Sequence, residues 1–139
     1  MPYLQVDLPA PAGPDVKRRF ARRLAELYAE AMLTQPHIPS IAFRELGPDN
    51  LVRFQDGELK PVLVVMCDVR RGREPAVRET LARAIAAECS AAFDIPERQV
   101  VVEFTQHAPD EMFRYGSMAP EWTPSEVLPG ALPTGPQTR

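Results

Sequence analysis

The spacing of hydrophobic and polar positions changes in a regular order along the chain. Residues 2–8 alternate between the two classes, which predicts a β-strand. Residues 15–33 carry apolar side chains three and four positions apart, which predicts a helix with one apolar face and with Asp15 as its N-cap. A second strand is expected around 40–46. The run LVRFQDGELK then holds an Asp-Gly pair between two short alternating segments, a pattern typical of a β-hairpin.

The same order of elements then repeats. Residues 61–69, PVLVVMCDV, are almost continuously apolar, as expected for a strand that is buried on both faces. A helix is predicted to start at Glu74-Pro75 and to end near Phe93, and residues 99–104 give the last strand. The predicted fold class is therefore α/β (α+β): two tandem β-α-β units form a four-stranded mixed sheet with both helices on one face. This chain leaves the other face uncovered, and we expect further subunits to cover it.

The domain organisation follows from this repeat and from the distribution of proline. At 139 residues the chain is expected to form a single domain over 1–123, with pseudo-repeats at about 1–58 and 59–116. Five of the 16 prolines lie at or after position 120. We therefore expect residues 124–139 to be a proline-rich C-terminal tail without a core of its own.

Composition excludes several classes of protein. The chain has 45% hydrophobic residues, 25% charged residues and a net charge of −3, so neither a nucleic acid nor an anionic membrane is an expected partner. No apolar run approaches the roughly 20 residues of a membrane span, and the first residues lack the features of a signal peptide. Cys67 and Cys89 have no metal-ligand spacing, so we expect reduced core cysteines, no metal site and a cytoplasmic protein.

The candidate chemistry begins with Pro2, which directly follows Met1. Proline is tolerated at the first position of a strand, so a purely structural role explains it. Removal of Met1, however, would leave Pro2 as a free secondary amine, which is a base and a nucleophile. Arg70 and Arg73 lie between a strand end and a helix start. They are explained either by a solvated basic loop or by a site in which guanidinium groups hold a carboxylate, since a helix N-terminus adds positive potential there.

These features together resemble the tautomerase superfamily. The resemblance rests on the proline after Met1, the duplicated β-α-β units and the segments RRGREPAVRETLARAI and VVVEFTQHAPDEMFRYG, and it covers roughly residues 2–120. The most similar subgroup is that of cis-3-chloroacrylic acid dehalogenase. The resemblance implies a homotrimer without a cofactor, with Pro2 as the catalytic proline and Arg70 and Arg73 as ligands of a small carboxylate substrate.

Three positions depart from the dehalogenase pattern. That subgroup has a histidine where this chain has Tyr28, a tyrosine at Glu103 and a water-activating glutamate at Arg114. The departures argue against dehalogenation and leave an amine site that binds carboxylates. Glu103 would raise the pKa of the Pro2 amine if it lies nearby, and would leave it low if it pairs with Arg114. Tyr115 and Trp122 follow the last strand and are candidates for the pocket wall or for a subunit contact.

We therefore expect a tautomerase that moves a proton on a small unsaturated 2-oxo or 2-hydroxy acid. Pro2 would be the general base, Glu103 and Tyr28 further catalytic candidates, and Arg114 and the two earlier arginines ligands of the substrate. Two alternatives remain open. One is a hydratase, dehalogenase or decarboxylase in which Pro2 is a general acid, and the other is a non-catalytic oligomeric binding protein.

Overall fold

The structure of the chain is a computed structural model that describes residues 2–124. It contains two successive sets of strand, helix, strand and hairpin. The first set consists of β1 (Tyr3–Leu8), α1 (Pro14–Met32), β2 (Ser40–Glu45), β3 (Val52–Gln55) and β4 (Glu58–Pro61). The second consists of β5 (Leu63–Arg70), α2 (Pro75–Phe93), β6 (Val100–His107), β7 (Phe113–Arg114) and β8 (Ser117–Met118). The tail predicted for 124–139 lies outside the described residues, apart from Pro124.

The four long strands form one mixed sheet in the order β2-β1-β5-β6. Each β-α-β unit pairs its own two strands in parallel, β1 with β2 and β5 with β6, and the units meet where β1 and β5 pair antiparallel. The predicted fold class is thereby confirmed. Because of this pairing, the first residues of β1 and β2 lie at the same sheet edge as the last residues of β5 and β6.

The core lies between one face of the sheet and the two helices. Alternate residues of β1 and β5 point into it and are at most 1% exposed, namely Leu4, Val6, Leu8, Leu63, Val65, Cys67 and Val69. Leu24 from α1 and Ile85 from α2 are fully buried against them. On the opposite face of β5, Val64 and Met66 are only half-buried. A single chain therefore buries one face of this strand fully and the other face in part.

The ends of the helices show where proline directs the chain. α1 begins at Pro14 with Gly13 as its N-cap, so the predicted cap at Asp15 is wrong. Proline fits the first helical position because it has no N–H to satisfy there, and Asp15 instead lies in the first turn, where its charge is favourable. α2 begins at Pro75, as predicted, and Glu74 is its N-cap. Within residues 2–124, no helix has the length and apolar character needed to cross a lipid bilayer.

The second hairpin, β7–β8, has no counterpart among the predicted elements. Its two-residue turn is formed by Tyr115 and Gly116, with φ of 52° and 80°. The predicted hairpin at β3–β4 has the same geometry at Asp56 and Gly57, with φ of 53° and 77°. Asp-Gly favours two positive φ values, whereas tyrosine rarely adopts one, so only the first turn is recognisable from its residues.

The two cysteines are free thiols inside the core, as predicted. Cys67 lies on β5 and Cys89 on α2, and neither is accessible to solvent. Burial raises the pKa of each thiol to about 12, so both are protonated and unreactive at neutral pH.

We predict that Ile85→Ala lowers the free energy of unfolding by about 2–5 kcal/mol, because it leaves a cavity between α2 and the sheet. Glu79→Ala on the exposed face of the same helix is the control. It removes only the Glu79–Arg83 ion pair, which is 2.7 Å long and exposed to solvent, and should cost less than about 0.5 kcal/mol. Urea denaturation at fixed protein concentration measures both. Equal losses in the two variants would contradict the described core.

Candidate active site

The topology gathers residues from distant parts of the sequence at one edge of the sheet. β1 starts at this edge, β5 ends there, and α1 returns its C-terminal end to it because the helix runs opposite to β1. The loop from α1 to β2 passes the same edge, since Tyr3 pairs with Ser40. The segment after β6 also starts there, since Arg70 pairs with His107.

Pro2 lies immediately before β1 and is buried. Its carbonyl oxygen accepts a hydrogen bond of 3.0 Å from the Ser40 N–H, which fixes the first residue of the strand against β2. On the other side, the pairing of Tyr3 with Asp68 brings Pro2 beside the last residues of β5. The nitrogen of Pro2 therefore sits at the sheet edge where Arg70 and the turn to α2 begin.

At this edge lies a shallow pocket with about 210 Å³ of empty space, part of which is open to solvent. Its lining combines one proline, one phenol, one hydroxyl, one aliphatic side chain and three guanidinium groups, namely Pro2, Tyr28, Thr34, Ile38, Arg70, Arg73 and Arg114. Among the described lining residues no side chain is a carboxylate, so the charged groups on the pocket wall are all cationic.

Arg70 and Arg73 are buried cations, only 5% and 7% exposed. Arg73 donates from Nε to the carbonyl oxygen of Met32 at 2.9 Å and from Nη1 to that of Arg70 at 3.2 Å. Arg70 donates from Nη1 to the carbonyl oxygen of Pro120 at 2.6 Å. A carbonyl oxygen stabilises a buried guanidinium through its dipole and leaves the positive charge in place. These contacts hold both groups in fixed orientations at the pocket.

Tyr28 lies on the buried face of α1 and is 1% exposed. Burial raises the pKa of its phenol well above the ordinary value of 10.0, while Arg73, Arg70 and Arg114 act in the opposite direction. Desolvation has the larger effect, so the phenol is neutral at pH 7. A neutral phenol in this position can donate a hydrogen bond to an oxygen atom of a bound molecule.

Arg114 and Tyr115 are neighbours in the sequence but have different surroundings. Arg114, the last residue of β7, is half-buried and lines the pocket. Tyr115 occupies the hairpin turn and is 59% exposed. Its ring centre lies 5.7 Å from Cζ of Arg114, within the range of a cation–π contact. In the described chain Tyr115 thus reaches the pocket only through its contact with Arg114.

Glu103 lies elsewhere on the sheet. It pairs with Met66 in the register of β5 and β6, and its side chain is exposed on the face opposite the helices. Pro2 and Tyr28 belong to the helix side. Within one chain Glu103 therefore does not join the pocket, and its predicted catalytic role stays a prediction for an assembly in which this outer face meets the pocket of another copy.

Sequence reasoning missed three residues of this region, Thr34, Ile38 and Pro120, and named the fourth, Trp122, only as a candidate for the pocket wall or for a subunit contact. Thr34 and Ile38 line the pocket from the loop after α1, and Pro120 and Trp122 contact the arginines from the C-terminal side. The loop residues carry no sequence signal for this role. Trp122 is the sole tryptophan of the chain, and a lone aromatic residue in a proline-rich segment was the available signal.

Comparison with solved structures identifies the fold. Pt0534 inactivated by 2-oxo-3-pentynoate aligns with a TM-score of 0.75 and 18% identity, over 84% of this chain and 94% of that chain. N1, a member of the cis-3-chloroacrylic acid dehalogenase family, aligns with a TM-score of 0.74 and 21% identity, over 86% and 84%. A symmetric trimer of a wild-type fused 4-OT aligns with a TM-score of 0.75 and 16% identity, over 84% and 94%.

These similarities confirm the predicted resemblance to tautomerase-superfamily structures at the level of the fold. No family model matches the chain, and no curated protein matches its sequence.

We predict that Tyr28 stays un-ionised in the folded protein up to about pH 11, because its pKa is raised above the value of about 10 that tyrosine has in an unfolded chain. Phenolate absorbance of the wild-type protein and of Tyr28→Phe should then rise equally up to that pH. The unfolded chain loses the phenol proton at a lower pH than the folded protein does. The contribution of Tyr28 to the free energy of unfolding is therefore fully present below pH 10 and declines above it. That decline should be smaller in Tyr28→Phe. An extra phenolate in the wild-type protein near pH 10 would contradict the burial of this side chain.

Proposed function

We propose that this chain is a tautomerase-superfamily enzyme whose domain spans residues 1–123. It moves a proton on a small unsaturated 2-oxo or 2-hydroxy acid without a cofactor. Pro2, freed by removal of Met1, is the general base, and Arg70 and Arg73 bind the carboxylate of the substrate. The observation that carries this proposal is that a buried proline at position 2 shares one small pocket with three arginines.

The same pocket favours the neutral form of the Pro2 amine. Burial disfavours a charged group, and the nearby guanidinium groups of Arg70, Arg73 and Arg114 disfavour a second cation. An α-amino group titrates near 8 in model peptides, so both effects leave it able to accept a proton at pH 7. An ammonium ion in this pocket, which general-acid chemistry requires, would be repelled by three charges.

The proposed reaction is a proton transfer between two positions of one molecule. The nitrogen of Pro2 takes the proton from the enol hydroxyl, and the electron pair moves through the conjugated system. The same nitrogen then returns the proton to a carbon atom, which leaves the ketone. Arginines at the carboxylate and the neutral phenol of Tyr28 stabilise the negative charge that develops on the oxygen atoms.

The absence of a carboxylate from the described pocket lining favours isomerisation over hydration. A hydratase or dehalogenase needs a base that activates water, and the dehalogenase pattern has a glutamate where this chain has Arg114. A guanidinium group cannot accept a proton from water, because it remains protonated at any physiological pH. Arg114 is better suited to hold a second anionic or carbonyl oxygen of the substrate.

The structural neighbours support the substrate class. Pt0534 was inactivated by 2-oxo-3-pentynoate, which is itself a small unsaturated 2-oxo acid. A compound of this type fits a pocket that has arginines for its carboxylate and a nucleophilic amine for its conjugated triple bond.

A homotrimer is the proposed assembly, and the fused 4-OT trimer supports it. Large apolar side chains lie on the two hairpins, with Phe54 73%, Leu59 68% and Phe113 69% exposed. The outer face of the sheet also keeps Val64 and Met66 half-exposed. Packing the outer faces of three copies around an axis would bury such side chains.

The first test is activity with phenylenolpyruvate and 2-hydroxymuconate, after mass spectrometry of the protein made in cells has established loss of Met1. We predict that Pro2→Ala lowers kcat at least about 100-fold, as expected when a positioned general base is impaired. Arg73→Lys should raise KM about tenfold, because a single ammonium cannot replace a bidentate guanidinium. Arg83→Ala, which removes an exposed arginine of α2, is the control and should leave both constants unchanged.

Three outcomes would contradict this assignment. Retention of Met1 would make the nitrogen of Pro2 an amide without basicity. Turnover of acetylenic or haloacrylic acids, with no activity on the enols, would instead indicate a hydratase or dehalogenase. No turnover of any of these acids, with no effect of Arg73→Lys on ligand binding, would indicate a non-catalytic binding protein.

A second test concerns the assembly. We predict that the wild-type protein sediments with three times the chain mass of 15.5 kDa. Phe54→Asp should shift it toward the single chain, because a charge replaces an apolar group that is buried between copies. Arg83→Ala is again the matched surface control. A wild-type protein that sediments as a single chain would contradict the trimer.

A further inference from the structure

The residues that follow the β7–β8 hairpin run back across the end of β5. Ala119 is buried and donates its N–H to the carbonyl oxygen of Met112 at 2.7 Å, which anchors the segment. We name residues 119–122 the C-terminal strap. The three residues after Ala119 contact the arginines at the end of β5 and in the following turn, in the same order along the chain. The pairs are Pro120 with Arg70, Glu121 with Arg71 and Trp122 with Arg73.

The contact between Trp122 and Arg73 places a cation over an aromatic ring. Cζ of Arg73 lies 4.6 Å from the centre of the indole ring, well inside the range of a cation–π interaction. The indole Nε1 donates to the carbonyl oxygen of Leu33 at 3.3 Å. Arg73 donates to the preceding carbonyl oxygen, that of Met32. Both side chains are thereby tied to the C-terminal end of α1, where helix carbonyls lack partners within the helix.

The turn between the arginines is shaped to receive the indole ring. Gly72 has a φ of +124°, a backbone conformation that other residues rarely adopt. A Cβ atom built at Gly72 would lie 3.6 Å from atoms of Trp122, so the ring packs directly against the backbone at this point. Arg73 therefore emerges from the turn directly beneath the ring.

We propose that Trp122 is a positioning residue that sets the plane of the Arg73 guanidinium for the substrate carboxylate. This inference rests on the proposed function. Two hydrogen bonds, to Met32 and Arg70, and the indole ring above Cζ restrain the orientation of that plane. A bidentate contact with a carboxylate requires such a fixed orientation, and fixing it before binding lowers the entropy that binding must remove.

The contacts of the strap orient Arg70 and Arg73 without neutralising the positive charge that attracts an anionic ligand. An aromatic ring attracts the guanidinium of Arg73 electrostatically and carries no net charge that would neutralise it. The Pro120 carbonyl uses one donor of Arg70 and carries no net charge. By contrast Glu121, the acidic residue of the strap, pairs with Arg71, which lies outside the pocket lining.

The test compares Trp122→Ala, Trp122→Phe and Glu121→Gln. We expect Trp122→Ala to raise KM for phenylenolpyruvate about tenfold and to leave kcat within about threefold, since loss of a partly desolvated cation–π contact weakens carboxylate binding. Trp122→Phe keeps an aromatic face and should recover most of the affinity. Glu121→Gln removes an exposed ion pair of the same strap and should stay within about twofold of the wild-type protein.

The methyl ester of the same enol separates positioning from general damage. It lacks the carboxylate, so Trp122→Ala should leave its kcat/KM unchanged if Trp122 acts through Arg73. Equal losses for the acid and the ester, or an unchanged KM for the acid in a folded Trp122→Ala protein, would overturn the inference.

Calorimetry of phenylpyruvate binding distinguishes failure of this inference from failure of the proposed function. A wild-type protein that binds phenylpyruvate without turning over its enol would contradict the proposed reaction, and a weaker affinity of Trp122→Ala would still support the positioning role. Equal affinities of the two proteins would overturn that role. A wild-type protein that neither binds nor turns over the compounds would overturn both.

Discussion

The antiparallel pairing of β1 with β5 is the constraint on which the candidate site depends. Within one β-α-β unit the two strands are parallel, because a crossover helix joins them. The start of one strand and the end of the other therefore lie at opposite ends of the sheet. The single antiparallel contact, which pairs Tyr3 with Asp68, reverses one unit against the other. It brings the second residue of the chain beside the turn that carries Arg70 and Arg73, 68 or more positions later in the sequence.

Burial then determines the chemistry of what the pairing brings together. Tyr28 stays neutral because desolvation outweighs three nearby cations. The arginines keep their charge because guanidinium does not lose its proton in proteins, and carbonyl oxygens of Met32, Arg70 and Pro120 stabilise them. One pocket thus holds permanent cations and groups that prefer to be neutral, an environment that attracts an anion and favours an uncharged amine.

The sequence predicts the sheet, both helices and the first hairpin because these depend on local periodicity and on Pro and Gly at fixed positions. Side-chain chemistry and the family resemblance also identify Pro2, Arg70 and Arg73 as candidate site residues. The sequence analysis misses the turn at Tyr115, because a tyrosine at a positive φ of 52° in a two-residue hairpin turn is unusual for that residue type. The alternation of Val102, Glu103, Phe104 and Thr105 is consistent with the exposed outer face on which Glu103 lies, but alternation alone does not say whether that face meets the site. The contact of Trp122 with Arg73, which lies 49 positions earlier, is not predicted because patterns in a single sequence do not report such pairings.

The arrangement of the arginines bears on how tightly a small anion can be held. Arg70 and Arg73 are already 5% and 7% exposed before any ligand is present, so folding has removed most of their water. An arriving carboxylate loses its own hydration but meets donors that need no further desolvation and little reorientation. Flexible surface arginines would have to give up both water and side-chain freedom at that moment. The pocket is small and partly open to solvent, so it offers few apolar contacts. This preorganisation is therefore the main source of affinity available to the proposed carboxylate substrate.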